Sequence, residues 1–463
     1  MLKKDSVSLP EMALGYFIGP FGVLIVNAVF TSFLNRFYTD VLGLAGKFIT
    51  ALPLISTIFV ALSNIILGIV IDRTRTKRGK ARPYILAAAP LMTLACILMF
   101  SVPTGNIKAE LVWIAISYNL YFAVAYPMYF LSHSMMVPLS TRNSAVRGKL
   151  SVISNAANMG AAGLFASIVF PMLVYPRLKN QKAWLVCMCI MGGIALAGAF
   201  LEYGFTRERI TEELLDKKDT NAAETEEKKQ TQNIPLKQQL KGVLTDKYWW
   251  LIILFYLLFN LSGGMKNLSM SYYCDYIVGK YQDGITQTLL AVFSGIPMVL
   301  GMFIAWPLAK KFGKKNCTAI GLLIAAVGGG ISFINPSNFM VVAVGVTIKT
   351  LGTIPACYVM MALFADVLDH LEQKNGYRSD GLSMSLYSII TVSAGGIMTA
   401  VFNGLISISG YQPPRLINGV MEAAIQNDAT KWVIIMSYLG AETIAYGILA
   451  ITISFLNVEK NKE

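Results

Sequence analysis

Apolar runs long enough to cross a bilayer recur along the whole chain and leave it little else to fold into. Twelve are read, at roughly 12–36, 44–72, 83–103, 109–138, 150–175, 183–205, 247–277, 285–308, 316–335, 339–366, 380–409 and 431–457. A helical crossing takes about 20 residues, so about half of the 463 residues are committed to the membrane. Charged residues make up 14% of the chain, against about 25% in soluble domains. That is too little polar surface to coat a water-soluble domain of this length. The expectation is an all-α membrane protein of twelve transmembrane helices.

The formal charge of +13 raises the question of a nucleic-acid partner, and the placement of the charges answers it. Loops after even-numbered segments hold 24 Lys and Arg residues, and loops after odd-numbered segments hold 9. Basic residues concentrate on the cytoplasmic side of membrane proteins. Both termini are therefore expected in the cytoplasm, and no nucleic-acid partner is expected. Lys3 and Lys4 precede the first apolar run, but Glu11 and a long helix follow, so no cleaved leader is expected. The six cysteines lie in or beside apolar segments, and the chain has two histidines. No zinc or haem set, and no other metal site, is expected from them.

The stretch 206–246 is different: Glu212, Glu213, Asp216, Lys217, Lys218, Glu226, Glu227, Lys228 and Lys229 make it a solvated linker. It separates an N-terminal bundle, 1–205, from a C-terminal bundle, 247–463. Leu236, Leu240 and Leu244 repeat at helical spacing near its end, which predicts a short amphipathic helix on the membrane surface.

The halves also match each other. Tyr38-Thr39-Asp40 ends the first segment and Tyr273-Cys274-Asp275 ends the seventh. Asp72-Arg73 with Lys77-Arg78-Gly79-Lys80 follows the second, and Lys310-Lys311-Phe312-Gly313-Lys314-Lys315 follows the eighth. Arg147-Gly148-Lys149 opens the fifth, and Arg378-Ser379-Asp380-Gly381 opens the eleventh. Three matches in one order, about half a chain apart, argue for a duplicated six-helix unit. Two such halves with a site between them at midplane are the major facilitator arrangement.

Gly68-x-x-x-Asp72-Arg73 followed by Gly79-Lys80 resembles the cytoplasmic signature of that superfamily. A tighter resemblance is to the glycoside–pentoside–hexuronide:cation symporter family, to which melibiose permease belongs. It is carried by Phe37-Tyr38-Thr39-Asp40-Val41-Leu42-Gly43 and by the run from Asp72 to Tyr84. Ala365-Asp366-Val367-Leu368-Asp369 with Gly376-Tyr377-Arg378-Ser379-Asp380-Gly381, and Gly410-Tyr411-Gln412-Pro413, complete it. The resemblance implies two pseudo-symmetric six-helix bundles and carbohydrate transport coupled to a cation. The family's two cation-binding aspartates on the second helix fall on Val60 and Asn64. Its first-helix sugar aspartate falls on Leu24, its fourth-helix aspartate near Tyr129 and its fifth-helix arginine on or near Ser154. The architecture carries over and the carboxylates do not. Asn64, with Ser63 beside it, is left as a cation ligand that offers oxygen without charge.

Ionisable groups within a span are costly, and they mark function by default. Here these are Lys266 in the seventh segment, Lys349 in the tenth, His133 in the fourth and Glu442 in the twelfth. Segments one, four, seven and ten line the cavity in the implied fold. Lys266, Lys349, His133, Tyr129, Asn27 and Asn260 are therefore the candidate solute contacts. Lys349 and Glu442 come out at nearly the same depth, which makes them a candidate buried ion pair. Gly263-Gly264 either breaks the seventh helix or lets another helix approach it closely. Asp72 with Arg73, Arg75 and Arg78, and Lys311, Lys314, Asp366, Asp369 and Arg378 in the second half, are candidate gate charges.

The expected function is secondary transport of a sugar, glycoside or hexuronide across a bacterial cytoplasmic membrane by alternating access. The alternatives are an uncoupled or proton-coupled facilitator of another polar solute, and a permease-like sensor that does not transport. No catalytic residue and no cofactor is expected, beyond a coupling cation, H+ or Na+. The expected partners are a small carbohydrate and the lipid bilayer, with the chain as a monomer.

Overall fold

The computed structural model describes residues 7–44, 47–74, 76, 78–103, 105–141, 144–211, 236–282, 284–376, 380–417 and 420–458. Among them, ten helices are long and apolar enough to cross a membrane. They are Glu11–Val41, Lys47–Ile71, Arg82–Phe100, Ile107–Ser140, Ile153–Arg177, Gln181–Phe205, Lys247–Val278, Lys314–Ser332, Phe339–Met360 and Asp428–Ser454. Two shorter apolar stretches, Ile285–Met298 and Ala394–Ile408, lie within the helices Ile285–Phe312 and Asp380–Ile408. In chain order these are the first to twelfth spans.

Short polar residues start several spans. The side chains of Asn106, Asn180, Asn338 and Asn427 accept backbone N–H bonds at the heads of the fourth, sixth, tenth and twelfth, donors that the helix itself leaves unpaired. The helix beginning at Phe339 runs to Asn375 and ends on Gly376, whose φ of +75° suits a glycine. The matching stretches at the ends of the first and seventh spans share a geometry. Phe37–Val41 and Cys274–Val278 are both π-helical turns, with Asp40 and Asp275 buried in them.

Contacts divide the chain into two compact units. One is Met1–Leu44 with Leu54–Thr231, and the other is Ala45–Pro53 with Gln232–Glu463. In the first, the first and sixth spans approach at glycines: a Cβ on Gly198 would lie 2.6 Å from the Gly19 carbonyl oxygen. In the second, the ninth and tenth spans do the same at Gly321 and Gly352, and at Gly328 and Gly345. Small residues substitute here for the hydrophobic effect, which lipid does not supply between helices. The second span exposes Ile55, Ile58, Phe59, Leu62, Ile65, Ile66 and Ile69, an apolar face suited to lipid.

One open alternative is decided and two expectations are corrected. The seventh helix is continuous from Lys247 to Tyr273 through Gly263 and Gly264. A Cβ on Gly264 would lie 2.5 Å from Met398 Sδ of the eleventh span, so this glycine serves close packing. The stretch beginning at Thr206 is not solvated at its start. Glu208 accepts the backbone N–H groups of Lys80, Ala81 and Arg82 at 2.8–2.9 Å, and buried Arg209 grips Glu11 through two bonds of 2.9 and 2.7 Å. A carboxylate at the unpaired N–H groups of a helix start is favourable on both charge and bonding grounds. The amphipathic helix Leu236–Leu244 does form, but it exposes Leu244 and buries Val243 in the core with Trp249 and Ile253. Within the all-α fold a short pair of strands, Arg415–Ile417 and Val420–Glu422, runs antiparallel. Asn418-Gly419 between them in the sequence is a strong hairpin signal.

Asp246 ties the surface helix, the seventh span and the tenth helix together. It accepts the N–H groups of Tyr248 at 2.8 Å and Trp249 at 3.2 Å, and Lys374 Nζ lies 2.7 Å from it. His370 Nε2 is 3.4 Å away. Burial pushes this carboxyl up, but Lys374 and the two N–H groups outweigh burial and hold it below the ordinary value. A depressed folded value stabilises above the ordinary pKa, and that stability is lost as pH falls through the lowered one. Asp246→Ala is expected to cost about 1–2 kcal/mol at pH 7, read as a lower melting temperature in detergent. The gap to wild type is expected to close as the pH drops below 3.8. Equal melting at pH 7 would remove this cap as a stabilising contact.

Candidate functional site

Within the C-terminal unit, three spans bring their charges to one place. Lys349 Nζ of the tenth lies 2.5 Å from Glu442 Oε2 of the twelfth, and both side chains are buried. Lys266 Nζ of the seventh lies 3.9 Å from Glu442 Oε1, with 21% of its side chain exposed. Tyr446, one turn on from Glu442, donates its hydroxyl to Oε1 at 2.9 Å. The carboxylate is thus held by two ammonium groups and a phenol.

Gly263 lies beside the carboxylate one turn before Lys266, where a Cβ would make an ordinary contact of 4.0 Å with Glu442 Oε1. Met436–Gly440, just before Glu442, is a π-helical turn. It carries Tyr438, whose ring centre lies 5.8 Å from Lys349 Nζ. Such turns re-aim side chains, and they concentrate at functional sites. Lys349 is ten residues into its span from Phe339, about 15 Å at the helical rise, which is half the hydrocarbon thickness. With all three groups ionised, the cluster carries one net positive charge. Lys266 is the partly exposed member.

A second polar cluster lies in the N-terminal unit. Glu202, on the sixth span, is fully buried. Tyr129 donates its hydroxyl to Glu202 Oε2 at 2.6 Å, and His133 Nδ1 is 2.7 Å from Oε1. Ser154 Oγ of the fifth span is 3.0 Å from His133 Nε2. The rings of Tyr129 and His133 stack one turn apart, 5.7 Å between centres. Glu202 was not among the sequence candidates. It lies four residues from the end of its apolar segment, where an acidic residue reads as a boundary. Tyr129 and His133, expected to contact solute, instead spend their polar atoms on this carboxylate and on Ser154.

The other candidates stand apart from both clusters. Asn260 is exposed and turns its amide back to the Tyr256 carbonyl at 2.7 Å. Asn64 is half-buried and donates to the Val60 carbonyl of its own helix at 2.9 Å. Asn27 is half-buried on the first span, where its carbonyl accepts the Thr31 hydroxyl. Of the gate candidates, Lys314 Nζ lies 2.5 Å from Asp366 Oδ2, fastening the head of the ninth span to the tenth helix. Arg73, Arg78 and Lys311 are exposed. Arg75 and Arg378, and the side chains of Asp72 and Asp369, lie outside the described residues.

A profile of the family described as MFS/sugar transport protein matches residues 15–460. The isoprimeverose transporter of Lactiplantibacillus pentosus is 27% identical over 457 residues, 96% of this chain and 88% of that protein. The glucuronide carrier protein homolog of Escherichia coli strain K12 is 24% identical, covering 88% of this chain and 86% of that one. Among solved structures, a D-xylose–proton symporter superposes with a TM-score of 0.61 at 14% identity, covering 98% of each chain. That likeness establishes the major facilitator fold.

Proposed function

The chain belongs to the MFS/sugar transport protein family, and on that premise we propose that this secondary transporter carries an acidic glycoside of the hexuronide type. Its relatives include a glucuronide carrier homolog as well as an isoprimeverose transporter, which supports a glycoside in general. One observation carries the choice of an acidic one: the net positive cluster of Lys266, Lys349 and Glu442 at mid-depth, with Lys266 exposed. A carboxylate entering beside Lys266 completes the charge balance that Glu442 leaves one short. A neutral sugar leaves the surplus charge in a low-dielectric site, where it is costly. The transporter makes and breaks no covalent bond. It holds the solute, closes one side and opens the other. The setting proposed is a bacterial cytoplasmic membrane, with both termini in the cytoplasm and the chain acting as a monomer.

Counterflow in proteoliposomes tests this reading. Labelled para-nitrophenyl β-glucuronide is expected to exchange, and para-nitrophenyl β-glucoside, which carries a hydroxymethyl group in place of the carboxylate, to exchange poorly. Preference for the glucoside would overturn the acidic reading, and binding of the glucuronide without exchange would make the protein a sensor.

Coupling by sodium through paired carboxylates is not proposed. Val60 has no ligand atom, and the Asn64 amide is turned onto its own helix. Two neutral positions offer a cation no compensating charge. Glucuronide uptake at fixed pH and membrane potential is expected to be the same with sodium as with choline. A sodium stimulation of about tenfold, a normal size for thermodynamic coupling, would sink that expectation.

A further inference from the structure

Glu202 is a carboxylate sealed inside the N-terminal unit with no lysine or arginine bonded to it among the described residues. The nearby cations are committed elsewhere. Arg209 grips Glu11, and Arg82 of the third span donates to the Tyr203 carbonyl at 2.7 Å. From the first span, Tyr16 and the paired Glu11 face the region. The fourth contributes Tyr126, Tyr129 and His133. The fifth contributes Ser154, with no titratable residue from Leu150 to Met159. On the third, Tyr84 bonds Thr74, and Cys96 bonds the Met188 carbonyl. Among the described residues, the one group in contact with Glu202 that can become its counter-ion is therefore His133.

We propose that Glu202 and His133 form the proton-binding site that couples solute movement to a proton gradient. This rests on the transport reading above and goes beyond it by assigning the coupling ion and its residues. The proton balance follows from the hydrogen bonds. With neutral imidazole, Nδ1–H donates to Glu202, Nε2 accepts the Ser154 hydroxyl, and the sealed cluster carries one negative charge. When one proton arrives at Nε2, both ring nitrogens donate, Ser154 turns to accept, and the cluster becomes a neutral ion pair. Burial opposes the unpaired anion and tolerates the pair, so the closed form retains the proton. Opening the cluster to water removes that preference and releases it. Ser154 is half-buried while Tyr129, His133 and Glu202 are buried, which puts the entry route at Nε2.

The same proteoliposomes test the site. In wild type, an inward proton gradient is expected to accumulate para-nitrophenyl β-glucuronide. In Glu202→Gln and His133→Gln, counterflow is expected to continue while accumulation is lost and the pH dependence of counterflow flattens. Accumulation that persists in Glu202→Gln overturns the proposal. So does wild-type counterflow that ignores a proton gradient, and that result leaves the transport reading standing. A readout free of transport uses the low histidine count. In a His370→Gln background, the imidazole of His133 is the only one left to follow by NMR in detergent. Its titration curve is expected to move when Glu202 becomes Gln, and an unmoved curve overturns the pairing even if no solute is carried.

Discussion

Glu442→Gln is expected to be the most damaging single change in the C-terminal unit. It strands two ammonium groups, of which Lys349 is buried and has no second carboxylate in contact among the described residues. Breaking a buried pair by removing one partner costs about 3–5 kcal/mol, and the exposed Lys266 recovers only its own share by hydration. Lys349→Met acts differently. Glu442 then keeps Lys266 at 3.9 Å and the Tyr446 hydroxyl at 2.9 Å, so its charge stays matched. The expected loss is about 1.5–3 kcal/mol, the size of an interaction with a charged group. The double variant leaves one partly exposed lysine and is expected to recover most of the stability lost in Glu442→Gln. Melting in detergent measures all three. Equal damage from the two single changes would mean that Lys266 does not share the carboxylate. A double variant as unstable as the sum of the singles would mean that there is no pair.

This cluster was legible from sequence because charges inside an apolar run are rare and because depth can be counted along a helix. Lys349 and Glu442 fall at one level by counting residues alone. What counting misses is azimuth: that Lys266 of the seventh helix faces the same carboxylate is not readable from depth. The spans were legible because an apolar run of about 20 residues is stable almost nowhere but in a bilayer. Glu202 was hidden near the end of its span, where side chains normally reach water. Its burial depends on Thr206–Thr211 folding back over that end, with Glu208 on the head of the third span and Arg209 on Glu11. A charged stretch reads as solvated when nothing shows what it packs on.

Each unit buries a glutamate, at different points along the two spans and with different partners. The sixth and the twelfth spans each hold a buried glutamate that accepts a tyrosine hydroxyl, from Tyr129 and from Tyr446. In the N-terminal unit the group facing the carboxylate is a histidine. In the C-terminal unit it is a pair of lysines. A switchable charge suits a coupling proton, and a fixed surplus charge suits an acidic solute.

Lys266→Met is the change that separates solute recognition from stability. Lys349 and Glu442 remain paired at 2.5 Å and become a neutral couple, so the fold is expected to hold and the melting temperature to change little. What disappears is the exposed positive charge. A hydrogen bond to a charged partner is worth about 1.5–3 kcal/mol, so affinity for para-nitrophenyl β-glucuronide is expected to fall about tenfold to a hundredfold. Affinity for the glucoside is expected to stay level or to rise, because the lone ammonium no longer has to be desolvated around a neutral sugar. Lys266→Arg restores the charge and is expected to recover much of the glucuronide affinity. Direct binding of each labelled glycoside to the purified protein in detergent reports occupancy without a transport assay. If glucuronide and glucoside lose affinity equally in Lys266→Met, the lysine is a packing residue of the seventh span and the acidic-solute reading falls with it.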